Sequence, residues 1–318
     1  MKNRSLVLLS GEGNTVPAAE AKALFLAYDP ASEFEQPAPR VLVATSSADP
    51  FRIGQRIAFA RRVGLLLSDP ADGAALLEGR RVRFRAYGTD LRETSADPDA
   101  YLKGFEAKID LESPEYELTL VRGRADLLAI ASPGTMRQQW SLRRPRARPF
   151  FHPSAIFPKL SRALVNLSRC REGEVFVDPF AGTGSIPIEA SLTGANVAAV
   201  DISEKMARGA LSNMKRFGQD WLGIVRADSN NLPVARVDAV ATDIPYGRAS
   251  STQGRRPSEV LDLLLASLAE AMLPSRFAVI MHPQSVGVEA NADFSLLEEH
   301  HLHVHKLLTR TISILRRK

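Results

Sequence analysis

Short apolar runs recur through the second half of the chain, and three of them are closed by an acid or lie just before one. Glu174 to Val177 leads into Asp178, Val197 to Val200 into Asp201, and Val237 to Ala241 reaches Asp243 two residues on; Phe277 to Met281 is a fourth run. Runs this short and this apolar fit strands covered on both faces. Between them the period is helical. Ile188 to Leu192 is one predicted helix; Ser203 to Phe217 is another, with Ser203 as N-cap and Gly218 as its stop; Ser258 to Met272 follows Pro257. Alternating β and α predicts an α/β fold, a doubly wound and mainly parallel Rossmann-like sheet. Ligands of such sheets sit beyond the carboxyl ends of the strands, where Asp178, Asp201 and Asp243 all fall.

The first half is patterned differently. Strands are expected at Leu6 to Leu9, Arg40 to Ala44, Arg81 to Ala86 and Tyr116 to Val121, and helices at Ala18 to Ala27 and Ile53 to Leu66. This is an α+β region with no Gly-rich loop and no acid/base cluster. A basic, prolyl stretch from Arg137 to Pro153 separates the halves, with Arg143, Arg144, Arg146 and Arg148 among Pro145, Pro149 and Pro153. Proline spacing this tight forbids regular helix and reads as a connector. The expected organisation is 1–140, a linker at 141–153, and an α/β domain at 154–318.

Composition narrows the picture. The 318 residues are 45% hydrophobic and 24% charged, enough for real cores, and the net charge of +5 permits an anionic partner without demanding one. Cys170 is the only cysteine, which excludes an intramolecular disulfide and a cysteine zinc cluster and points to a reducing, cytoplasmic setting. The apolar run at Leu6 to Leu9 is too short for a signal peptide and meets Gly11-Glu12-Gly13 at once. No run approaches the ~20 residues that a bilayer-spanning helix needs, so no membrane partner is expected.

The loop Asp178-Pro179-Phe180-Ala181-Gly182-Thr183-Gly184-Ser185 follows one strand and opens a helix. Its glycines let backbone approach a ligand without a Cβ in the way. A nicotinamide fingerprint would need a third glycine where Pro187 stands, and its helix N-terminus must receive a pyrophosphate that Asp178 would repel. S-adenosylmethionine has no phosphate and carries a cationic amino group and a sulfonium, which suits that acid. Ala181, Gly182, Thr183 and Gly184 then form the cradle. Asp201, followed by Ile202, is placed to accept ribose hydroxyls, and Asp228 with Ser229 lies where an adenine edge would be read. Taken singly, each Asp is equally a turn or cap residue.

Asp243-Ile244-Pro245-Tyr246 suits chemistry at an exocyclic amine. The lone pair of such a nitrogen is delocalised into the base. A site that methylates it must accept hydrogen bonds from the NH2 and so aim the lone pair at the methyl. Asp243 is one acceptor, a backbone carbonyl in the Ile-Pro turn at Pro245 a second, and Tyr246 offers a face on which an extruded base stacks. Cys170 is remote in sequence, which argues against cysteine-dependent ring-carbon methylation.

These residues resemble the THUMP-domain tRNA guanine-N2 methyltransferases, and within them the archaeal-type enzymes acting on guanine at tRNA position 10. The resemblance runs over nearly the whole chain. It includes Leu9-Ser10-Gly11-Glu12, Arg148-Pro149-Phe150-Phe151-His152-Pro153, Pro158-Lys159-Leu160-Ser161-Arg162-Ala163, the Gly loop, the tetrad with Gly247-Arg248, Val304-His305-Lys306 and Leu308-Thr309-Arg310. Ile244 stands where many relatives carry Pro. The resemblance implies a class I S-adenosylmethionine methyltransferase domain behind a ferredoxin-like part and a THUMP domain that grips tRNA. It also implies that the segment from His152 to Ser154 covers the methionine end of the cofactor. Some relatives work with a small zinc-binding activator protein, which joins tRNA among the candidate partners.

Arg143, Arg144, Arg146 and Arg148, ahead of the expected active site, are then candidate RNA-phosphate contacts. Arg81, Arg83 and Arg85 are equally a solvated strand face. His301, His303 and His305 share one strand face without enough further donors for a metal, and none is expected; Leu302 and Val304 are expected to be buried. Met206 and Met214 read as helix core. Alternatives are adenine N6 or rRNA guanine N2 methylation, which share the loop and tetrad, and an RNA-binding scaffold with a vestigial fold.

Overall fold

The computed structural model describes residues 2–12, 14–68, 71–102, 105–132, 136–219, 221–245, 254–305 and 308–318. The chain divides into two compact units, Met1–Glu12 with Pro17–Arg137, and Gly13–Val16 with Gln138–Lys318.

The first unit carries β1 (Asn3–Leu9), α1 (Val16–Tyr28), β2 (Glu33–Ala38), β3 (Val41–Ser46), α2 (Pro50–Arg56), β4 (Ala60–Leu66), α3 (Ala71–Leu77), β5 (Arg81–Gly88), α4 (Pro98–Leu102), β6 (Lys108–Ile109), β7 (Tyr116–Arg122) and β8 (Leu127–Ala131). Its strands form one sheet in the order β2-β3-β1-β4-β8-β7-β5-β6. The first four pair antiparallel with α1 and α2 between them, the split βαβ topology of a ferredoxin-like fold.

The helix expected over Ile53 to Leu66 is corrected. It ends at Arg56, and Ala60–Leu66 is β4, paired with β1 and β8. The spacing misleads because Ile53 of α2, Ile57 just beyond its end, and Ala60 and Val63 of β4 all enter one core. Gly64 belongs to a strand interior because a Cβ there would collide with the Ile130 carbonyl of β8. Arg81, Arg83 and Arg85 are largely compensated locally. Arg81 faces Asp110 and Glu115, Arg85 pairs with Glu93, and Arg83 donates to the Leu111 carbonyl.

The second unit carries α5 (Pro158–Leu167), β9 (Val175–Asp178), α6 (Ser185–Ser191), β10 (Asn196–Asp201), α7 (Glu204–Phe217), β11 (Trp221–Arg226), β12 (Val237–Asp243), α8 (Pro257–Ala271), β13 (Met272–Pro283), β14 (Phe294–His305) and β15 (Leu308–Arg317). The sheet order is β11-β10-β9-β12-β13-β15-β14. β11, β10, β9, β12 and β13 run parallel, and β15 enters antiparallel between β13 and β14. The order reverses between β9 and β12, the switch point where ligands of open α/β sheets bind. Ser203 caps α7 as expected, accepting from the Met206 N–H at 3.4 Å.

The segment expected as a connector is instead part of the second unit. It forms two 3-10 turns, Met136–Arg143 and Pro145–Ala147. Arg143 inserts against α6, its Nε donating to Glu189 Oε1 at 2.8 Å. Asn213 on α7 clamps Phe150, accepting from its N–H and donating to its carbonyl, each at 2.9 Å. The Phe150 ring fills the space over Gly209 that any Cβ would occupy.

Candidate active site

Beyond the carboxyl ends of β9, β10 and β12 lies a cavity of about 370 Å³, within the range of small-molecule sites. Asp178, Phe180 to Thr183, Asp201 to Ser203, Met206, Asp243 to Pro245 and Arg310 line it. His152 and Ser154 to Ile156 line it too.

Asp178 ends β9 with 1% of its surface exposed. Its Oδ1 accepts from Thr242 Oγ1 at 2.6 Å and from the Phe180 N–H at 3.1 Å. Burial pushes its carboxyl up to about 7, against the pull of those two bonds. A cation in the cavity would reverse the penalty by giving the carboxylate a partner.

Asp201 ends β10 and braces the loop. Oδ2 accepts from the Gly182 N–H and Oδ1 from the Ser203 N–H, both at 2.8 Å. Each oxygen keeps a second lone pair, so two hydroxyls can still be received. Burial raises this carboxyl as well, opposed by the two backbone bonds. Gly182 sits at φ 53, where a side chain would strain the backbone. The donor and acceptor set fits S-adenosylmethionine: a buried acid for a cation, a two-oxygen acceptor for a ribose, and bare backbone between them.

Asp243 closes β12, and its carboxylate receives the Nη2 of Arg310 from β15. Burial lowers the Arg310 guanidinium to about 10. The Ile244 N–H continues the ladder by donating to the Met281 carbonyl at 3.0 Å, which fixes the turn that places Pro245 on the cavity.

The predicted residues Asp178, Ala181, Gly182, Thr183, Asp201, Ile202, Asp243 and Pro245 therefore meet at one cavity, together with His152 and Ser154 of the segment expected over the methionine end. Gly184 does not line it. Its φ of 77 caps α6, and a Cβ there would touch Ala210 of α7 at 3.4 Å, so it serves helix packing. Asp228 and Ser229 also lie off the lining. Asp228 accepts from the Asn230 N–H at 3.1 Å and from Arg255 Nη1 at 3.3 Å, while Ser229 is buried. Tyr246 lies outside the described residues, as do Gly247, Arg248 and Lys306.

The four linker arginines divide. Arg143 and Arg148 are 5% and 6% exposed, which corrects their reading as phosphate contacts. Arg143 is consumed by Glu189, and Arg148 donates to the carbonyls of Arg143 and Ile156 and to Ser185 Oγ. Arg144 and Arg146 remain exposed, with Arg146 5.7 Å from the Phe151 ring centroid.

Sequence reasoning overlooked Arg310 and Met206. Met206, expected in the helix core, lines the cavity because Ser203 starts α7 beside β10 and the third helical residue turns inward; Met214 is core. On β14, His301 and His303 are exposed and Leu302 is half-buried rather than buried; the side chains of Val304 and His305 lie outside the description. A bulge between Leu296 and Glu298 shifts the register there, and among the described side chains of β14 His300 is the buried histidine. Among the described residues no group of three or more His, Cys, Asp or Glu gathers as a metal site, and no helix is long and apolar enough to cross a membrane.

Comparison with known proteins places residues 145–312 in the family described as RMKL-like, methyltransferase domain. A tRNA (guanine(10)-N2)-dimethyltransferase of Methanothermobacter thermautotrophicus is 30% identical, over 98% of this chain and 99% of that protein. One from Methanocaldococcus jannaschii is 33% identical over 56% of this chain and 51% of its own length. Among solved structures, TrmN from Thermus thermophilus covers 99% of this chain and all of its own with a TM-score of 0.52 at 18% identity, a likeness of fold.

Proposed function

Because the chain belongs to the tRNA (guanine(10)-N2)-dimethyltransferase family and carries its RMKL-like methyltransferase domain, we propose that it methylates the exocyclic N2 of a guanine in tRNA, at position 10. The observation that carries this reading is the convergence of Asp178, Asp201 and Asp243 on one cavity at the sheet's switch point.

S-adenosylmethionine, when bound, supplies a methyl carbon on sulfur, and the S–C bonding pair returns to sulfur as the new N–C bond forms. Asp178 holds the cofactor's positive charge, and Asp201 receives its ribose hydroxyls. The cavity segment from His152 to Ile156 covers the cofactor's methionine end. Gly182 lets backbone close on the ligand without a clash. Asp243 accepts one N–H of the guanine amine and the Ile244 carbonyl accepts the other, which localises the lone pair on N2. Tyr246 stacks on the extruded base. The proton that N2 sheds passes to the Asp243 carboxylate and on to solvent. An amine that keeps one N–H after the first transfer still satisfies Asp243, which supports a second methylation at the same site.

We assign the first unit, with its ferredoxin-like strands followed by a THUMP portion, to gripping the tRNA. Exposed Arg144 and Arg146 add phosphate contacts. The test is to incubate the purified protein with unmodified tRNA and methyl-labelled cofactor, digest to nucleosides and separate them. Label should appear in N2-methylguanosine and N2,N2-dimethylguanosine. Label confined to methyladenosine would overturn the guanine assignment.

A further inference from the structure

We propose that Arg310 is the positioning residue of the methylation site: it holds Asp243 ionised and turned so that one carboxylate oxygen is engaged and the other faces the amine. This rests on the reading of Asp243 given above. The two residues arrive from strands that do not touch. Asp243 pairs with Met281 of β13, and Arg310 sits opposite Pro283 at the end of that same strand. The guanidinium therefore spans the width of β13 to reach the carboxylate.

Both side chains are largely shielded, 9% exposed for Arg310 and 15% for Asp243, and both line the cavity. An Asp with one oxygen bonded to a buried, planar guanidinium loses rotation about Cβ–Cγ, and its remaining oxygen is aimed. An opposite charge at contact also favours the ionised carboxylate, the only form in which both oxygens accept. The burial that depresses Arg310 is the burial that strengthens its hold on the acid. Activation of a delocalised amine depends on a hydrogen bond of fixed direction, so loss of Arg310 should act on turnover more than on binding.

The other titratable groups lining the cavity are Asp178 on β9, Asp201 on β10 and His152 ahead of α5. His282 on β13 is turned to Ser313 and to the Pro283 carbonyl. None of these bonds to Asp243 among the described residues, and all are common to the parent and its Arg310 variants. A difference between them in pH dependence therefore reports the removed guanidinium.

The experiment compares the parent with Arg310→Lys, Arg310→Gln and Arg310→Ala, each first checked by thermal unfolding and by cofactor titration. Arg310→Gln should lower kcat roughly 100-fold while KM for tRNA and cofactor changes only severalfold. Its acid limb of kcat should move to higher pH. Arg310→Lys should recover much of the loss, and added guanidinium should restore Arg310→Ala. A second readout needs no turnover: carbon NMR of the Asp243 carboxyl should titrate higher in Arg310→Gln than in the parent. Turnover within a few-fold of the parent overturns the proposal, as does an unmoved Asp243 titration. A parent that methylates no guanine refutes the proposed function instead, and the NMR titration still decides the role of Arg310.

Discussion

Thr242 on β12 donates to Asp178 on neighbouring β9 at 2.6 Å, so the acid at the centre of the cavity is tuned from the strand that carries Asp243. That bond favours the ionised form against the burial that disfavours it. Thr242→Val keeps the shape and removes the donor. The Asp178 carboxyl should rise further above 7, and cofactor affinity at neutral pH should fall severalfold and recover on raising the pH. Calorimetric titration at pH 7 and pH 8.5 checks this, and an equal loss at both would mean that the donor acts only through packing.

Asp178 also sets a pH dependence of opposite sign for folding and for binding. Its folded value of about 7 lies above the ordinary carboxyl value of about 3.9. The neutral form is favoured in the fold, so its stability contribution is full below about pH 4 and is lost as pH rises through 7. A cationic ligand wants the charged form, so affinity should rise with pH and level off above 7. Thermal unfolding at pH 5.5 and pH 8 should show a larger cofactor-induced shift at pH 8. Asp178→Asn should abolish that difference.

Asp201 is the acceptor of two backbone N–H groups as well as the candidate ribose acceptor. Asp201→Asn places an NH2 against one of those donors, since an amide offers only one oxygen. Cofactor binding should weaken by about 1–3 kcal/mol, with tRNA affinity unchanged. Unaltered cofactor affinity in Asp201→Asn would remove Asp201 from the binding site.

Much of this site is legible in the sequence because it is local. Asp178, Asp201 and Asp243 follow from a strand-end acid after three of the four apolar runs, a pattern that needs no knowledge of what packs where. Arg310 does not, because its partner is 67 residues away and its distinction is burial beside a carboxylate, which periodicity does not encode. It stands within Leu308-Thr309-Arg310, which the sequence marks only as a family likeness. The linker arginines mislead for the converse reason. A run of basic residues among prolines reads as solvated, yet Glu189 on α6 draws Arg143 inward, and Ser185 with two backbone carbonyls does the same for Arg148. β4 carries a helix-like spacing because its apolar residues share a core with those of α2.

Glu189 gives the clearest stability test. It is about 1% exposed and binds two guanidinia, Arg143 Nε at 2.8 Å and Arg162 Nη2 at 2.9 Å. Glu189→Gln leaves two buried cations without their anion, an effect of about 3–5 kcal/mol for a broken buried pair. The midpoint of denaturant unfolding should fall accordingly, and cofactor affinity should drop with it because Arg143 and Arg148 anchor the segment that leads to His152. A midpoint unchanged within error would mean that the cluster is hydrated in solution.

Arg144 and Arg146 are the linker cations left for an anionic partner, since their neighbours Arg143 and Arg148 are spent inside the fold. Arg146 also lies over the Phe151 ring, which holds its stem down while the charge stays at the surface. Arg144→Ala with Arg146→Ala removes no buried partner, so folding and cofactor affinity should match the parent. Affinity for tRNA should fall, and the slope of log affinity against log salt should shrink by about one for each phosphate that is no longer neutralised. Weaker binding at an unchanged salt slope would assign the two side chains to shaping the surface rather than to phosphate. A fall in cofactor affinity would place them in the site itself.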